Sequence, residues 1–159
     1  MITCAVEHDS VLQAAPGARV IGVDGEGRVD LKTLRQAVDE VPETACGNTL
    51  VSVMMANNET GVLQPIEEVV GIARNAGLAT HSDMVQMLGK RHLDFDRLGL
   101  DYASLSAHKI GGPTGVGALL VRPGRRMTSL LRGGGQEQGR RSGTENFLGI
   151  AGFGAAAKA

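Results

Sequence analysis

The chain has 159 residues, enough for one domain with a core of its own, and its formal net charge at pH 7 is -1. A charge this close to zero gives no reason to expect nucleic acid or an anionic membrane as a partner, and no apolar run is long enough to span a bilayer. The start lacks the basic and apolar regions of a secretory signal, so we expect a cytoplasmic protein. The two cysteines, Cys4 and Cys46, have no metal-binding spacing and are expected to stay reduced.

Short apolar runs alternate with helical patterns along the chain. In chain order, strands are predicted at "MITCAV", "RVIGV", "NTLVSVMMA", "LATHSD", "DYASLSAH" and "VGALLVR". Helices are predicted at "DSVLQAA", capped by Asp9 or Ser10, at "VDLKTLRQAVDEV", capped by Asp30, at "PIEEVVGIARNAG", which opens with Pro65 and closes with Gly77, and in "GIAGFGAAAKA". This alternation predicts an α/β fold: a mainly parallel, mixed sheet flanked by helices on both faces, in a single domain over 1–159.

Both ends of the chain look cut. A strand begins within one residue of the start, and the closing helical pattern has neither a C-cap nor a polar tail. We therefore expect a fragment of a longer protein.

Polar side chains follow four of the predicted strands at their carboxyl ends, where open parallel sheets bind ligands. They are Glu7 and His8, then Asn57 to Thr60, then Asp83 and Gln86, and finally His108 and Lys109. A deprotonated lysine at such an edge can form a Schiff base with a carbonyl, and pyridoxal phosphate is the cofactor that this chemistry implies. Its pyridinium nitrogen needs an acid, which Asp83 supplies, and its phenolate oxygen needs a donor, Gln86 or Asn58. Ser106 and His108 offer donors to its phosphate, and His8 is placed to stack on its ring.

Other interpretations of these residues remain open at this point. Alone, the lysine would be a solvated side chain and Asp83 a helix cap. His81, Asp83 and His108 have a spacing compatible with a metal site. A serine nucleophile at Ser104 or Ser106 beside His108 lacks the G-x-S-x-G elbow. We expect no metal, because the cofactor uses the same residues better.

Five motifs occur in order: "EHDSVL", "NNETG", "HSDMVQMLGK", "SLSAHKIGGPTGVGALLVR" and "GGGQEQGRRSGTEN". Together they resemble the cysteine desulfurases of the NifS/IscS type, in the class V aminotransferase group of fold-type I pyridoxal-phosphate enzymes. The resemblance covers nearly the whole chain and implies part of the large cofactor domain. It also implies a homodimeric transferase that moves sulfur from L-cysteine to a persulfide, leaving L-alanine, for iron–sulfur cluster or thiolated tRNA synthesis. A sulfur-acceptor or scaffold protein is then an expected partner.

The resemblance also implies a role for each matching position. Lys109 is similar to the lysine that forms the Schiff base and then moves protons, and His8 to the residue that stacks on the ring and has an acid–base role. The remaining matches are Asp83 for the pyridinium nitrogen, Gln86 for the phenolate oxygen, Asn58 for ring and substrate, Ser106 and His108 for the phosphate, and Thr144 for the phosphate in the partner subunit's site.

The chain departs from the family pattern in several places. The family's catalytic cysteine lies far beyond the lysine, and neither Cys4 nor Cys46 matches it. The substrate-carboxylate arginine and an upstream glycine-rich phosphate turn have no counterpart here. Met84 stands where the family often has an alanine against the ring, and is expected to crowd the cofactor; Thr114 replaces a common lysine, with little expected effect.

These departures predict that the 159 residues turn over no substrate alone. An inactive cofactor-binding fragment is therefore one alternative to a working desulfurase. Another class V member, such as a selenocysteine lyase or an aminotransferase, is the second.

Overall fold

The structure is a computed structural model that describes residues 1–159. Its strands are β1 (Ile2–Cys4), β2 (Arg19–Ile21), β3 (Leu50–Ser52), β4 (Ala79–Asp83), β5 (Tyr102–Ser106) and β6 (Gly117–Val121). Its α-helices are α1 (Asp9–Leu12), α2 (Leu31–Asp39), α3 (Glu43–Cys46), α4 (Ile66–Asn75), α5 (Phe95–Leu98) and α6 (Phe147–Ala156). Two short 3-10 helices cover Ala107–Ile110 and Gln136–Gly139.

All six strands join one sheet in the order β2-β1-β3-β4-β5-β6. Neighbouring strands run parallel except for β6, which is antiparallel to β5. The predicted mainly parallel, mixed sheet is confirmed. Several strands are shorter than the apolar runs from which they were predicted. The chain after β3 still bonds to its neighbour, because the Val53 and Met55 N–H groups donate to the carbonyls of His81 and Asp83.

The helix starts follow local capping chemistry. Asp30 caps α2 by accepting hydrogen bonds from the N–H groups of Lys32 and Thr33, as the sequence predicts. The predicted cap of α1 is wrong: His8 occupies the N-cap, and its ring accepts the N–H of Ser10. Pro65 is the N-cap of α4 rather than its first helical residue.

The core lies where α2 and α4 meet the sheet. The two helices pack against each other, α2 against β2 and α4 against β4. A cluster of 21 buried apolar residues joins them to the strands; it includes Leu34, Val38, Val51, Val69 and Ala73. The spacing of Leu34, Ala37 and Val38 puts all three on the buried side of α2, as an amphipathic helix requires. None of the helices has both the length and the apolar composition that a membrane-spanning helix requires.

A buried ionic group stabilises the sheet where β4 and β5 begin. Asp101 accepts hydrogen bonds from the N–H of Thr80 at 2.9 Å and from its hydroxyl at 3.2 Å. Arg125 donates to the other oxygen of Asp101 at 2.7 Å. Both carboxylate oxygens therefore have partners, which is the condition for burying a charge at tolerable cost.

Two helices of four residues each, α3 and α5, were not predicted from the sequence. An apolar period cannot be recognised over a single turn. Capping signals were nevertheless present: Asp94 caps α5 by accepting the N–H of Arg97, and Gly99 ends it with φ 75°.

Candidate functional site

A pocket of about 280 Å³ opens at the edge of the sheet where the parallel strands end. It is lined by His8, Ser10, Met54, Asn58, Asp83, Val85, Gln86, Ser106, His108 and Lys109. These residues follow or end β1, β3, β4 and β5, which are neighbours in the sheet. The structure therefore brings together every side chain named from the sequence as a cofactor contact, with the single exception of Thr144.

Lys109 lies in the 3-10 helix that follows β5, on a turn whose shape depends on glycine. Gly111 ends this helix with φ 79°, in the left-handed region that other residues avoid. A Cβ on Gly112 would come within 2.9 Å of the Ala107 carbonyl oxygen. The turn presents Lys109 at the surface of the pocket, where its amine makes neither a hydrogen bond nor an ion pair.

Two polar side chains stand beside the lysine. The Ser106 hydroxyl lies 2.8 Å from Nδ1 of His108, so each holds the other in place. Ser106 has an extended backbone (φ −137°, ψ 128°). A nucleophile elbow needs a strained turn at the serine, so the geometry does not favour the serine-nucleophile alternative.

Asp83 ends β4 with one oxygen engaged and one free. Its Oδ1 accepts the N–H of Val85 at 2.9 Å, which is the capping role that the plainer interpretation gave it. Its Oδ2 makes no hydrogen bond and Asp83 forms no ion pair, although the residue is half-buried and lines the pocket. One carboxylate can thus hold the turn and still offer an acceptor to a ligand.

The expectation that Met84 crowds a ligand is wrong. Met84 is 2% exposed and belongs to the core cluster, and the pocket-lining side chain is that of Val85. Residues that follow a strand alternate between its two sides, so the neighbour of Asp83 points away from it. Of the two adjacent apolar residues, Val85 and not Met84 lines the pocket.

Gln86 is oriented by a neighbour outside the pocket. Its Oε1 accepts a hydrogen bond from Nζ of Lys90 at 2.8 Å. The NH2 group of Gln86 is then left to donate to a ligand, as a contact to a phenolate oxygen requires.

His8 is fixed by its capping role. Its Nδ1 accepts the N–H of Ser10 at 3.1 Å and lies 2.8 Å from the Ser10 hydroxyl. This leaves Nε2 as the ring nitrogen available to a ligand. Ser10 also lines the pocket, whereas the sequence indicated it only as a candidate helix cap.

Asn57 connects the loops that carry His8 and Asn58. Its Oδ1 accepts the N–H groups of Glu59 and Thr60 at 3.0 and 2.8 Å, which closes the turn that "NNETG" predicts. Its Nδ2 donates to the Val6 carbonyl at 2.9 Å, across to the loop after β1. A single buried amide therefore sets the distance between two sides of the pocket.

Glu7 lies at the same edge of the sheet, in the segment after β1. It is buried, and its Oε1 accepts the N–H of Met54, while its Oε2 has no partner. Burial, with a smaller contribution from the negative charge of Asp83, raises the pKa of Glu7 to about 8, although the Met54 N–H acts in the opposite direction. The sequence placed Glu7 at this edge, but no contact to a cofactor or substrate was predicted for it.

The metal alternative has no geometry to support it. His81 lies outside the pocket, with Nδ1 at 2.8 Å from the Ser52 hydroxyl and Nε2 at 2.8 Å from that of Ser104. Burial lowers the pKa of His81, and the charge of Asp83 opposes that shift. Both ring nitrogens are engaged, and no group of three or more His, Cys, Asp or Glu side chains is arranged to hold an ion.

Three residues singled out in the sequence lie away from the pocket. Thr144 is exposed on the loop before α6, so its expected role in a partner subunit's site stays a prediction. Cys4 is fully buried in the core, and burial raises its pKa. Cys46 ends α3, where its thiol lies 3.5 Å from the Pro42 carbonyl.

Comparison with known proteins identifies relatives of the whole chain. The sequence model of the family described as aminotransferase class-V matches residues 1–159. A cysteine desulfurase of Gluconacetobacter diazotrophicus is 45% identical over 166 aligned residues, which cover 99% of this chain and 40% of that protein. The chain thus spans about 40% of the length of this curated relative.

Solved structures agree with the sequence relatives. A NifS-like protein from Rickettsia africae superposes with a TM-score of 0.92 at 43% identity, over 98% of this chain and 43% of its own. A structure described as SspA in complex with cysteine gives a TM-score of 0.85 at 33% identity, over 99% of this chain and 46% of its own.

Proposed function

The chain belongs to the class V aminotransferase family, and from that membership we propose that residues 1–159 are the cofactor-holding part of a pyridoxal-phosphate-dependent cysteine desulfurase. The observation that carries the proposal is the single pocket that contains Lys109, Asp83 and His8 at the ends of neighbouring strands. The relative named a cysteine desulfurase and the structural relative with bound cysteine support L-cysteine as the substrate.

The donor set of the pocket fits pyridoxal phosphate. The cofactor requires an amine, an acid for its ring nitrogen, a donor for its phenolate oxygen and polar groups for its phosphate. Lys109 would supply the amine, the free oxygen of Asp83 the acid, and the NH2 group of Gln86 the donor. Ser106 and His108 would contact the phosphate, Asn58 the ring edge, and His8 the ring face.

The residues of the pocket have distinct tasks in this proposal. When bound, the cofactor serves as an electron sink for the substrate. Nζ of Lys109, which has no competing partner, would hold the cofactor and would move a proton at the substrate α-carbon. Nε2 of His8 is the second proton-transfer group, since Nδ1 is occupied by Ser10. The Asp83 carboxylate balances positive charge at the ring nitrogen.

Two groups that sulfur transfer requires are absent from the pocket lining. It contains neither a cysteine to attack the substrate sulfur nor an arginine to bind the substrate carboxylate. We therefore propose that these 159 residues hold the cofactor but transfer no sulfur by themselves, and an inactive cofactor-binding chain remains the second candidate on this observation. The homodimer, the sulfur-acceptor partner and the cytoplasmic location remain predictions.

Cofactor capture is the direct test of the first part. The chain is incubated with pyridoxal phosphate, its visible absorbance is recorded, and borohydride reduction followed by peptide mass mapping locates the modified lysine. We expect the label on Lys109, loss of the absorbance in Lys109→Ala, and normal absorbance in the control Lys32→Ala, whose lysine is exposed on α2. A wild-type chain without the absorbance, or a label on another lysine, would overturn the proposal.

Turnover tests the second part. Alanine and sulfide are measured after adding L-cysteine to the cofactor-loaded chain, and we expect neither above the level of free pyridoxal phosphate. Alanine production that depends on Lys109 would show that the pocket lining is sufficient for desulfuration.

A further inference from the structure

Glu7 is a buried carboxyl at the edge of the candidate site to which the proposed function assigns no task. It follows β1, is 6% exposed, and extends to the end of the adjacent strand β3, where its Oε1 accepts the N–H of Met54. Its Oε2 is buried without a hydrogen-bond partner. None of the ion pairs of the chain includes Glu7.

The titratable groups near Glu7 do not favour its ionised form. Asp83, at the end of β4, adds negative charge, and Cys4 on β1 is a buried thiol whose own pKa is raised by burial and by Glu7. His81 approaches Asp83 from the same strand, but burial lowers its pKa, which weakens it as a cation. The Lys109 side chain makes no ion pair with either acid.

The pocket lining shows why the charge of Glu7 matters. Asp83 is the only acidic residue among the ten that line the pocket. Met54, whose N–H donates to Glu7, also lines the pocket. Asp83 makes a smaller contribution than burial to the raised pKa of Glu7, and a neutral Glu7 adds no second negative charge beside it.

We propose that Glu7 is a positioning residue of the candidate site, which fastens the segment after β3 to the segment after β1 and adds no second negative charge beside Asp83. A neutral carboxyl accepts the Met54 N–H through its carbonyl oxygen, as an amide would. Its pKa of about 8 means that it is protonated at neutral pH and ionises in mild alkali. Unfolding by urea tests this role independently of the proposed function. Absorbance of the chain with pyridoxal phosphate tests it as well, but that test rests on the proposed function.

The cofactor-free experiment measures unfolding by urea at a series of pH values. The folded-state pKa of Glu7, about 8, lies above the ordinary value of 4.5, so the folded chain binds more protons between these limits and loses stability as pH rises through them. Glu7→Gln keeps the acceptor for Met54 and cannot ionise. We expect the unfolding constant of the wild type to rise relative to that of Glu7→Gln by up to about tenfold per pH unit, with a plateau above the folded-state pKa.

A matched control and a second measurement keep this test decisive. Glu68→Gln, on an exposed position of α4, is expected to keep the pH slope of the wild type. If Glu7→Gln does not fold, carbon-13 NMR of glutamate carboxyl groups in the wild type replaces it, with one carboxyl expected to titrate near pH 8. Equal slopes in wild type and Glu7→Gln, or no glutamate titrating above about pH 6, would overturn the inference.

The cofactor experiment separates a positioning role from a purely structural one. The visible absorbance of the chain with pyridoxal phosphate is followed against pH, and we expect a transition in the wild type that Glu7→Gln lacks. Identical profiles in the two chains, with the absorbance present, would leave Glu7 only its bond to Met54 and overturn the positioning role. Absence of the absorbance in both would contradict the proposed function, while the cofactor-free result on Glu7 would stand.

Discussion

Two buried carboxyl groups of this chain, at opposite ends of the parallel strands, have very different surroundings. Asp101 is 4% exposed and uses both oxygens, accepting from Thr80 and Arg125. Glu7 is 6% exposed, has one unpartnered oxygen and pairs with no cation. The first arrangement is complete without a ligand, whereas the second involves Met54, which lines the pocket. Of these two carboxyl groups, only the one at the carboxyl edge of the sheet has an oxygen left without a partner.

The same contrast separates neighbours in the sequence. Asp83 and Val85 line the pocket, while Met84 between them is part of the core. Asn57 is buried and holds two loops, while Asn58 next to it is exposed in the pocket. At this edge one of two adjacent residues is buried inside the chain and the other lines the pocket, so substitutions at adjacent positions should affect different measurements.

The largest effect is expected at Met84. Met84→Ala removes a fully buried side chain and should lower the free energy of unfolding by about 3 kcal/mol. Val85→Ala should cost about 1 kcal/mol or less and should instead alter the affinity for pyridoxal phosphate. Urea unfolding and cofactor titration of both variants measure the difference. A Met84→Ala chain of unchanged stability but altered cofactor affinity would restore the original expectation that Met84 faces the ring.

Asp101 tests the structural end of the fold. Asp101→Asn cannot accept from both Thr80 and Arg125, so we expect a loss of about 2 kcal/mol in the free energy of unfolding. The control is Asp96→Asn, since the Asp96 side chain is 85% exposed and lies 3.7 Å from Arg122; it should cost less than about 0.5 kcal/mol. Cofactor absorbance per folded chain should be unchanged in both. A loss of cofactor binding in Asp101→Asn without a loss of stability would contradict the purely structural role of Asp101.

Asn57 should affect both measurements. Asn57→Ala removes the bonds that close the "NNETG" turn and the bond to Val6, so we expect a loss of about 1–2 kcal/mol in the free energy of unfolding. Because the loops that carry His8 and Asn58 are then no longer connected, cofactor affinity should also fall. Asn48→Ala, on an exposed residue with no side-chain hydrogen bond, is the control. Unchanged cofactor affinity in a destabilised Asn57→Ala chain would limit Asn57 to a role in folding.

The smallest effect is expected at His81, and only in acid. Burial lowers its folded-state pKa below the ordinary 6.5, so the unfolded chain binds more protons and stability falls as pH drops below that value. This slope is opposite in sign to the one expected from Glu7. Urea midpoints should show the acid loss reduced in His81→Gln and retained in His92→Gln, whose histidine is exposed. The same acid slope in both variants would assign the loss to another group.

Much of the fold was predictable because its signals are local. All six strands lie within the predicted strand segments, and α2 begins after the acidic cap Asp30 that the sequence predicts. The convergence of the site was also predictable, since parallel strands deliver their carboxyl ends to a common edge. The wrong predictions concern single residues. Met84 points into the core and not into the pocket, and the N-cap of α1 is a histidine, where serine or aspartate is more usual.

The sequence by itself determined which side chains reach the carboxyl edge of the sheet: an amine, an acid, amides and histidines in an order similar to a known family. Only the tertiary structure decided which of them have partners. His81 meets Ser52 and Ser104 at separations of 29 and 23 residues, and Glu7 meets Met54 across 47. Burial and pairing depend on contacts between distant segments, and these contacts set the cost of a buried charge. For that reason the unpartnered oxygen of Glu7 could not be predicted from the sequence, whereas the position of Lys109 at the edge of the sheet could.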